Sequence, residues 1–199
     1  MRVLVIGAAG KLLNGSFMLC PREAHLHKGR VGSAALAACL AKNHVVTAFV
    51  RSPSKLPLEV RTHPRIRVVR GDATSPASLV EAIRDQDAII QTAIYGSNSP
   101  WGTSDSEKVI RTIVTAIKEV QSSRRLGATP IRLWVLSGQV LLDIPGGRGK
   151  IEGDVIPIHP EHYQNYAFLQ QDARDVDWSL LCPGRIEEGE VRVLLYQCR

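Results

Sequence analysis

Hydrophobic and polar positions along the chain switch repeatedly between two periods. Arg2–Ile6 (RVLVI) is a short β-branched run that ends in glycines and predicts a buried strand. Gly32–Lys42 is alanine-rich with helical spacing, and Val45–Val50 reads as a second strand. Ile66–Val69 predicts a third strand, and Ser75–Arg84 a helix that places Leu79, Val80 and Ile83 on one face. Ala88–Ala93 reads as a buried fourth strand. Ser104–Val120 carries Val109, Ile113, Ile117 and Val120 at 3–4 spacing and predicts a long amphipathic helix. Ile131–Leu136 follows as a strand, His162–Gln171 as a helix, and Trp178–Cys182 as a strand that stops at Pro183-Gly184. Gly96–Thr103 and Asp143–His159 show no period and are expected to be irregular. Strands alternating with helices predict an α/β fold: a doubly wound parallel sheet with helices on both faces.

One interval breaks the rhythm. Gly7-Ala8-Ala9-Gly10 follows the first strand, and Arg30-Val31-Gly32 opens the first helix, but residues 11–29 separate them. With those residues set aside, the start reads as strand, G-A-A-G-R-V-G, helix, second strand. That context turns a weak glycine motif into a Rossmann-like nucleotide loop. Its glycines allow a tight turn, close approach of backbone to a pyrophosphate, and close helix–strand packing. The helix N-terminus then supplies free N–H groups to the phosphates.

The interrupting segment has a genetic explanation. Gly10-Lys11 and Lys28-Gly29 permit codons that hold a splice donor and an acceptor in matching phase, so residues 11–29 are expected to be a translated, unspliced intron. Glu190-Val191-Arg192 permits a second donor, which makes 191–199 an expected aberrant tail on a single domain spanning 1–190.

Composition adds limits. At 199 residues with 44% apolar content, the chain suits one domain with its own core. No apolar run is long enough to span a membrane, and the start lacks a signal-peptide pattern, so a soluble, cytoplasmic protein is expected. Cys20, Cys39, Cys182 and Cys198 are scattered and read as reduced thiols. His25-x-His27 has no third ligand at suitable spacing, so no metal site is expected. The net charge of +6 is dispersed and not interleaved with aromatics, which suits a polyanionic small ligand better than nucleic acid. No membrane partner is expected either, and a monomer is compatible with this reading.

The position after the second strand holds Arg51 rather than an acid. An acid there would accept hydrogen bonds from ribose hydroxyls and select NAD; an arginine suits the 2′-phosphate of NADP. Lys55 offers a second cation, although both residues also read as ordinary turn charges. Asp72, after the third strand, should lie near an adenine, unless it or Ser75 caps the next helix. Thr92, Ala93, Ile94 and Tyr95 end the fourth strand at the crevice where the chain reverses direction in the sheet.

GAAG, RVG, VRSPSKLP, VVRGDA, DQDAIIQTAI, WVLSGQV and DWSLLCPGRI stand in order along residues 1–10 and 30–188. The set resembles the atypical short-chain dehydrogenases with an NAD(P)-binding, NmrA-like domain. Its nearest branch looks like the NADPH-dependent flavin reductases, also called biliverdin-IX-beta reductases. The resemblance implies NADP(H) as cofactor and hydride transfer to a flavin, tetrapyrrole or quinone acceptor. It implies that Gly7, Ala9, Gly10, Arg30, Val31 and Gly32 hold the pyrophosphate, Arg51 and Lys55 the 2′-phosphate, and Asp72 and Ala73 the adenine. Leu136, Ser137 and Gly138 would lie by the nicotinamide, under Pro183–Ile186.

The chain departs from the wider family in one respect. Neither Tyr163 nor Tyr166 has a lysine four residues on, so the usual tyrosine–lysine proton relay is absent, as it is in the flavin-reductase branch. Ser137 is the best candidate catalytic hydroxyl, and Gly138 stands where that branch has a serine. His162, Tyr163 and Tyr166 fit a substrate role and a core or surface role equally. The absent relay keeps open a non-catalytic NADP-sensing regulator. The interrupted loop keeps open an inactive chain.

Overall fold

The computed structural model describes residues 1–9, 30–93, 105–138, 141–142 and 161–182, with Arg30 described in its backbone only. The elements run β1 (Arg2–Ile6), α1 (Arg30–Ala41), β2 (Val45–Val50), α2 (Leu58–Arg61), β3 (Ile66–Arg70), α3 (Pro76–Ile83), β4 (Ala88–Gln91), α4 (Ser106–Ser123), β5 (Arg132–Leu136), α5 (Glu161–Asp172) and β6 (Asp177–Leu181). The strands form one sheet in the order β3-β2-β1-β4-β5-β6, and every neighbouring pair is parallel. The expected doubly wound α/β sheet is therefore present. The insertion 11–29, the tail 191–199 and the segments 96–103 and 143–159 lie outside the described residues.

Burial explains the strand patterns. Val3, Leu4, Val5 and Ile6 of β1 are all buried, as a central parallel strand covered on both faces requires. Leu4, Ile6, Phe49, Ile89, Leu133 and Val135 face one way and meet α3, α4 and α5. Val3, Val5, Val46, Ala48 and Val50 face the other way and meet α1 and the short α2. The edge strands β3 and β6 are only partly buried. Beyond the reach of α1, Trp134 and Leu181 stand 43% and 39% exposed on β5 and β6.

Helix ends follow local chemistry. α1 closes with Asn43 at φ 60°, His44 N–H donating to Cys39 O and Asn43 N–H donating to Leu40 O, both bond patterns of a Schellman cap. α4 buries Val109, Ile110, Ile113, Val114, Ile117 and Val120, so the predicted amphipathic face is the one that packs. The fourth strand is shorter than the period suggests. It ends at Gln91, because β1 ends at Ile6; the Thr92 N–H and hydroxyl both turn onto Ile6 O, at 2.9 and 2.8 Å.

Candidate functional site

All six strands end on the same edge of the sheet. From β1 the chain builds β2 and β3 on one side, then crosses back to build β4, β5 and β6 on the other. The loops after β1 and β4 therefore diverge, and a crevice opens between them.

Four of the predicted residues converge there. Gly7 has φ +92°, and a Cβ on it would stand 2.7 Å from Ala93 N. A Cβ on Gly32 would stand 2.5 Å from Gly7 O and 2.8 Å from Thr92 Oγ1. No side chain fits at either place. The Ser33 hydroxyl donates to Ala8 O at 3.4 Å, so the first turn of α1 rests on the end of β1. The start of this 12-residue helix is thereby carried to the crevice mouth, where a helix N-terminus offers N–H groups to an anion. The cradle fits a dinucleotide pyrophosphate, because Gly7 and Gly32 place no side chain in it and the helix end favours negative charge. Ala9 and Val31 flank it, each partly buried. Gly10, Ile94, Pro183 and the Arg30 side chain lie outside the described residues.

The ends of β2 and β3 form the next part of the edge. Arg51 is exposed directly after β2, and Lys55 is exposed in the 3-10 turn Pro53–Lys55. Gly71 N–H donates to Val50 O at 3.1 Å, which sets Asp72 beside this turn. Asp72 Oδ1 accepts from the Thr74 N–H and hydroxyl, both at 2.8 Å. Those two bonds, with the nearby positive charges of Arg51 and Lys108, hold the Asp72 carboxyl below the usual carboxylate range. Asp72 thus shapes the turn into α3, while Ser75 occupies the cap position and makes no side-chain cap bond. Ala73 points into the core with Phe49 and Leu79, so an adenine would meet only its backbone.

At the end of β5, Leu136 is partly buried and Ser137 is buried. Ser137 N–H donates to Leu181 O at 2.8 Å, continuing the ladder to β6. Its Oγ lies 3.2 Å from His162 Nδ1 at the start of α5. A Cβ on Gly138 would stand 2.9 Å from both Cδ2 and Nε2 of the same imidazole. The glycine therefore makes room for the ring, and the ring reaches the serine. Sequence reasoning named Ser137 but left His162 open between two roles. Tyr166 packs edge-on against Trp178 and accepts from Gln170, which makes it a packing residue, and Tyr163 is 43% exposed. Asn165 was missed: it is buried, and its amide donates to Ser106 Oγ at 3.0 Å. Its place three residues after His162, on the inward face of α5, was the available signal.

Among the described residues, no group of three His, Cys, Asp or Glu side chains is placed to hold a metal ion. No described helix is long and apolar enough to cross a membrane. Cys39 is a free thiol whose burial pushes its pKa up, which keeps it unreactive.

Comparison with known proteins agrees with this geometry. The chain is similar to an oxidoreductase of Lactococcus lactis (TM-score 0.65, 16% identity, 96% of this chain and 72% of that one). It is similar to a proposed epimerase of Bacteroides thetaiotaomicron (TM-score 0.61, 23% identity, 90% and 68%). It is also similar to a wide-type short-chain dehydrogenase/reductase of Veillonella parvula solved in complex with NADP (TM-score 0.56, 16% identity, 91% and 68%). At these identities the likeness is one of fold. No curated protein matches the sequence. The profile of the NAD(P)H-binding family matches residues 28–196, most of the chain. With a glycine cradle at the switch point of a parallel sheet and a family match of that extent, the chain belongs to the NAD(P)H-binding family.

Proposed function

We propose that the chain is an NADPH-dependent reductase that passes hydride to a flavin-like, tetrapyrrole or quinone acceptor. The observation that carries this reading is the seating of Gly32 on Gly7 and Thr92. It forms a pyrophosphate cradle at the N-terminus of α1 although residues 11–29 intervene in the chain. Arg51, exposed after β2 where an NAD-selective acid would stand, supports NADPH over NADH. A bound cofactor would supply a hydride; Gly7, Gly32 and the start of α1 would hold its phosphates, and residues at the ends of β4 and β5 would stand beside its reactive ring. The absence of a lysine four residues after Tyr163 or Tyr166 supports a second reading, a regulator that binds NADP and turns nothing over.

A fluorescence titration of NADPH and NADH onto the 199-residue chain tests the first reading. Saturable micromolar NADPH binding is expected, with weaker NADH binding. Arg51→Ala should weaken NADPH binding about tenfold or more by losing a charge-assisted contact, and leave NADH binding unchanged. Absence of saturable NADPH binding up to millimolar concentration would overturn it. NADPH consumption with FMN or a quinone separates reductase from regulator, because a regulator binds without oxidising.

A further inference from the structure

The reductase reading leaves the acceptor open, and a contact at the end of β5 bears on it. Ser137 is buried, 6% exposed, where β5 meets the crevice edge. Its hydroxyl lies 3.2 Å from His162 Nδ1, across 25 residues of chain. Gly138 admits the imidazole where any Cβ would stand 2.9 Å from Cδ2 and Nε2. The bond works in either sense: the hydroxyl can donate to Nδ1, or a protonated Nδ1 can donate to the hydroxyl oxygen. A hydroxyl backed by an imidazole can pass a proton onward and be resupplied. The tyrosine–lysine pair that would otherwise supply one is missing.

We infer that Ser137 and His162 form a proton relay aimed at an oxygen of the acceptor, and that the preferred acceptor is a quinone. This rests on the reductase reading. A quinone gains two electrons and one hydrogen as hydride, and one of its oxygens becomes a phenolate that must take a proton to complete the hydroquinone. The Ser137 hydroxyl donates that proton to the oxygen, His162 Nδ1 returns one to the hydroxyl, and solvent reprotonates the imidazole. The balance is NADPH plus quinone plus one proton giving NADP and hydroquinone. A flavin makes a weaker demand, because its reduced ring carries the negative charge by delocalisation. His162 acts through Ser137 and is the positioning residue; Ser137 is the residue that touches the acceptor.

The test compares wild type, His162→Gln, Ser137→Ala and Gly138→Ala on the full chain, with a naphthoquinone and with FMN. His162→Gln should lower kcat for the quinone about 100-fold, the range of a lost acid–base group, at unchanged KM for NADPH. FMN reduction should change little. Gly138→Ala, whose methyl displaces the imidazole, should reproduce the pattern in milder form. A readout apart from turnover is the binding of 4-nitrophenol, a probe for the product oxygen, followed by its absorbance in the presence of NADP. His162→Gln should weaken that binding tenfold or more. Quinone and FMN rates falling together, or quinone turnover and probe binding untouched by His162→Gln, would overturn the relay and leave the reductase intact. NADPH oxidation by no acceptor would overturn the reductase reading and the relay with it, whereas NADPH binding alone would remain.

Discussion

At the scale of single residues, Gly32 decides whether the cradle exists. A methyl there would press on Gly7 O at 2.5 Å, and that oxygen belongs to backbone, which cannot rotate away. Gly32→Ala should cost about 1–3 kcal/mol, as overpacking does, read from urea melts, and should abolish saturable NADPH binding. Asp72 gives a pH effect with a defined sign. Its carboxyl is held below the usual range by Thr74, so the stabilisation is full at neutral pH and is lost as pH falls through the folded value. The group is exposed and screened, so the effect is small. Stability of Asp72→Asn against pH should lie below wild type at neutrality and merge with it in acid. The positions of Gly7, Gly32 and Arg51 at strand and helix ends were legible in the sequence because they follow from the element boundaries. The Ser137–His162 contact was not, because nothing local records that α5 returns its first turn to the end of β5.

At the scale of elements, periodicity recovered, among the described residues, every strand and each α-helix except α2. Its four residues, Leu58–Arg61, are too few to show a helical period and are held by Val60 entering the core. The boundary at β4 was overrun because Thr92 and Ala93 are as apolar in pattern as the strand before them, and only the end of β1 stops the ladder. Helix caps offer a cleaner test of local chemistry. Asn43 holds the left-handed conformation that ends α1, and its side chain accepts from Arg65. Asn43→Ala should cost about 1–2 kcal/mol, because a Cβ without a compensating polar group is strained there. Asn43→Gly should lose less, and thermal melts of the pair would order them. The reverse order would mean that the Arg65 contact, not the backbone, closes the helix.

At the scale of the whole molecule, the parallel sheet and its register are fixed by residues outside the excursion. Gly7 and Gly32 meet, and five residues (Ala8, Ala9, Gly10, Arg30 and Val31) would remain between them if 11–29 were removed. At about 3.3–3.6 Å per residue the shortened turn reaches with slack. Loop closure becomes easier by about 0.6 kcal/mol for each halving of loop length. A chain lacking residues 11–29 should therefore melt at least as high as the 199-residue form and bind NADPH at least as tightly, as the retained-intron reading expects. A deletion that unfolds the chain would show that the excursion has become part of the fold. The meeting of Gly7 and Gly32 has one more consequence. Ala9 and Arg30 each stand two residues from one of these glycines, at one point on the crevice edge of the sheet. That point is a port: a short fluorescent peptide carried there would sit within reach of the bound phosphates and would report occupancy of the crevice without any strand changing its neighbour.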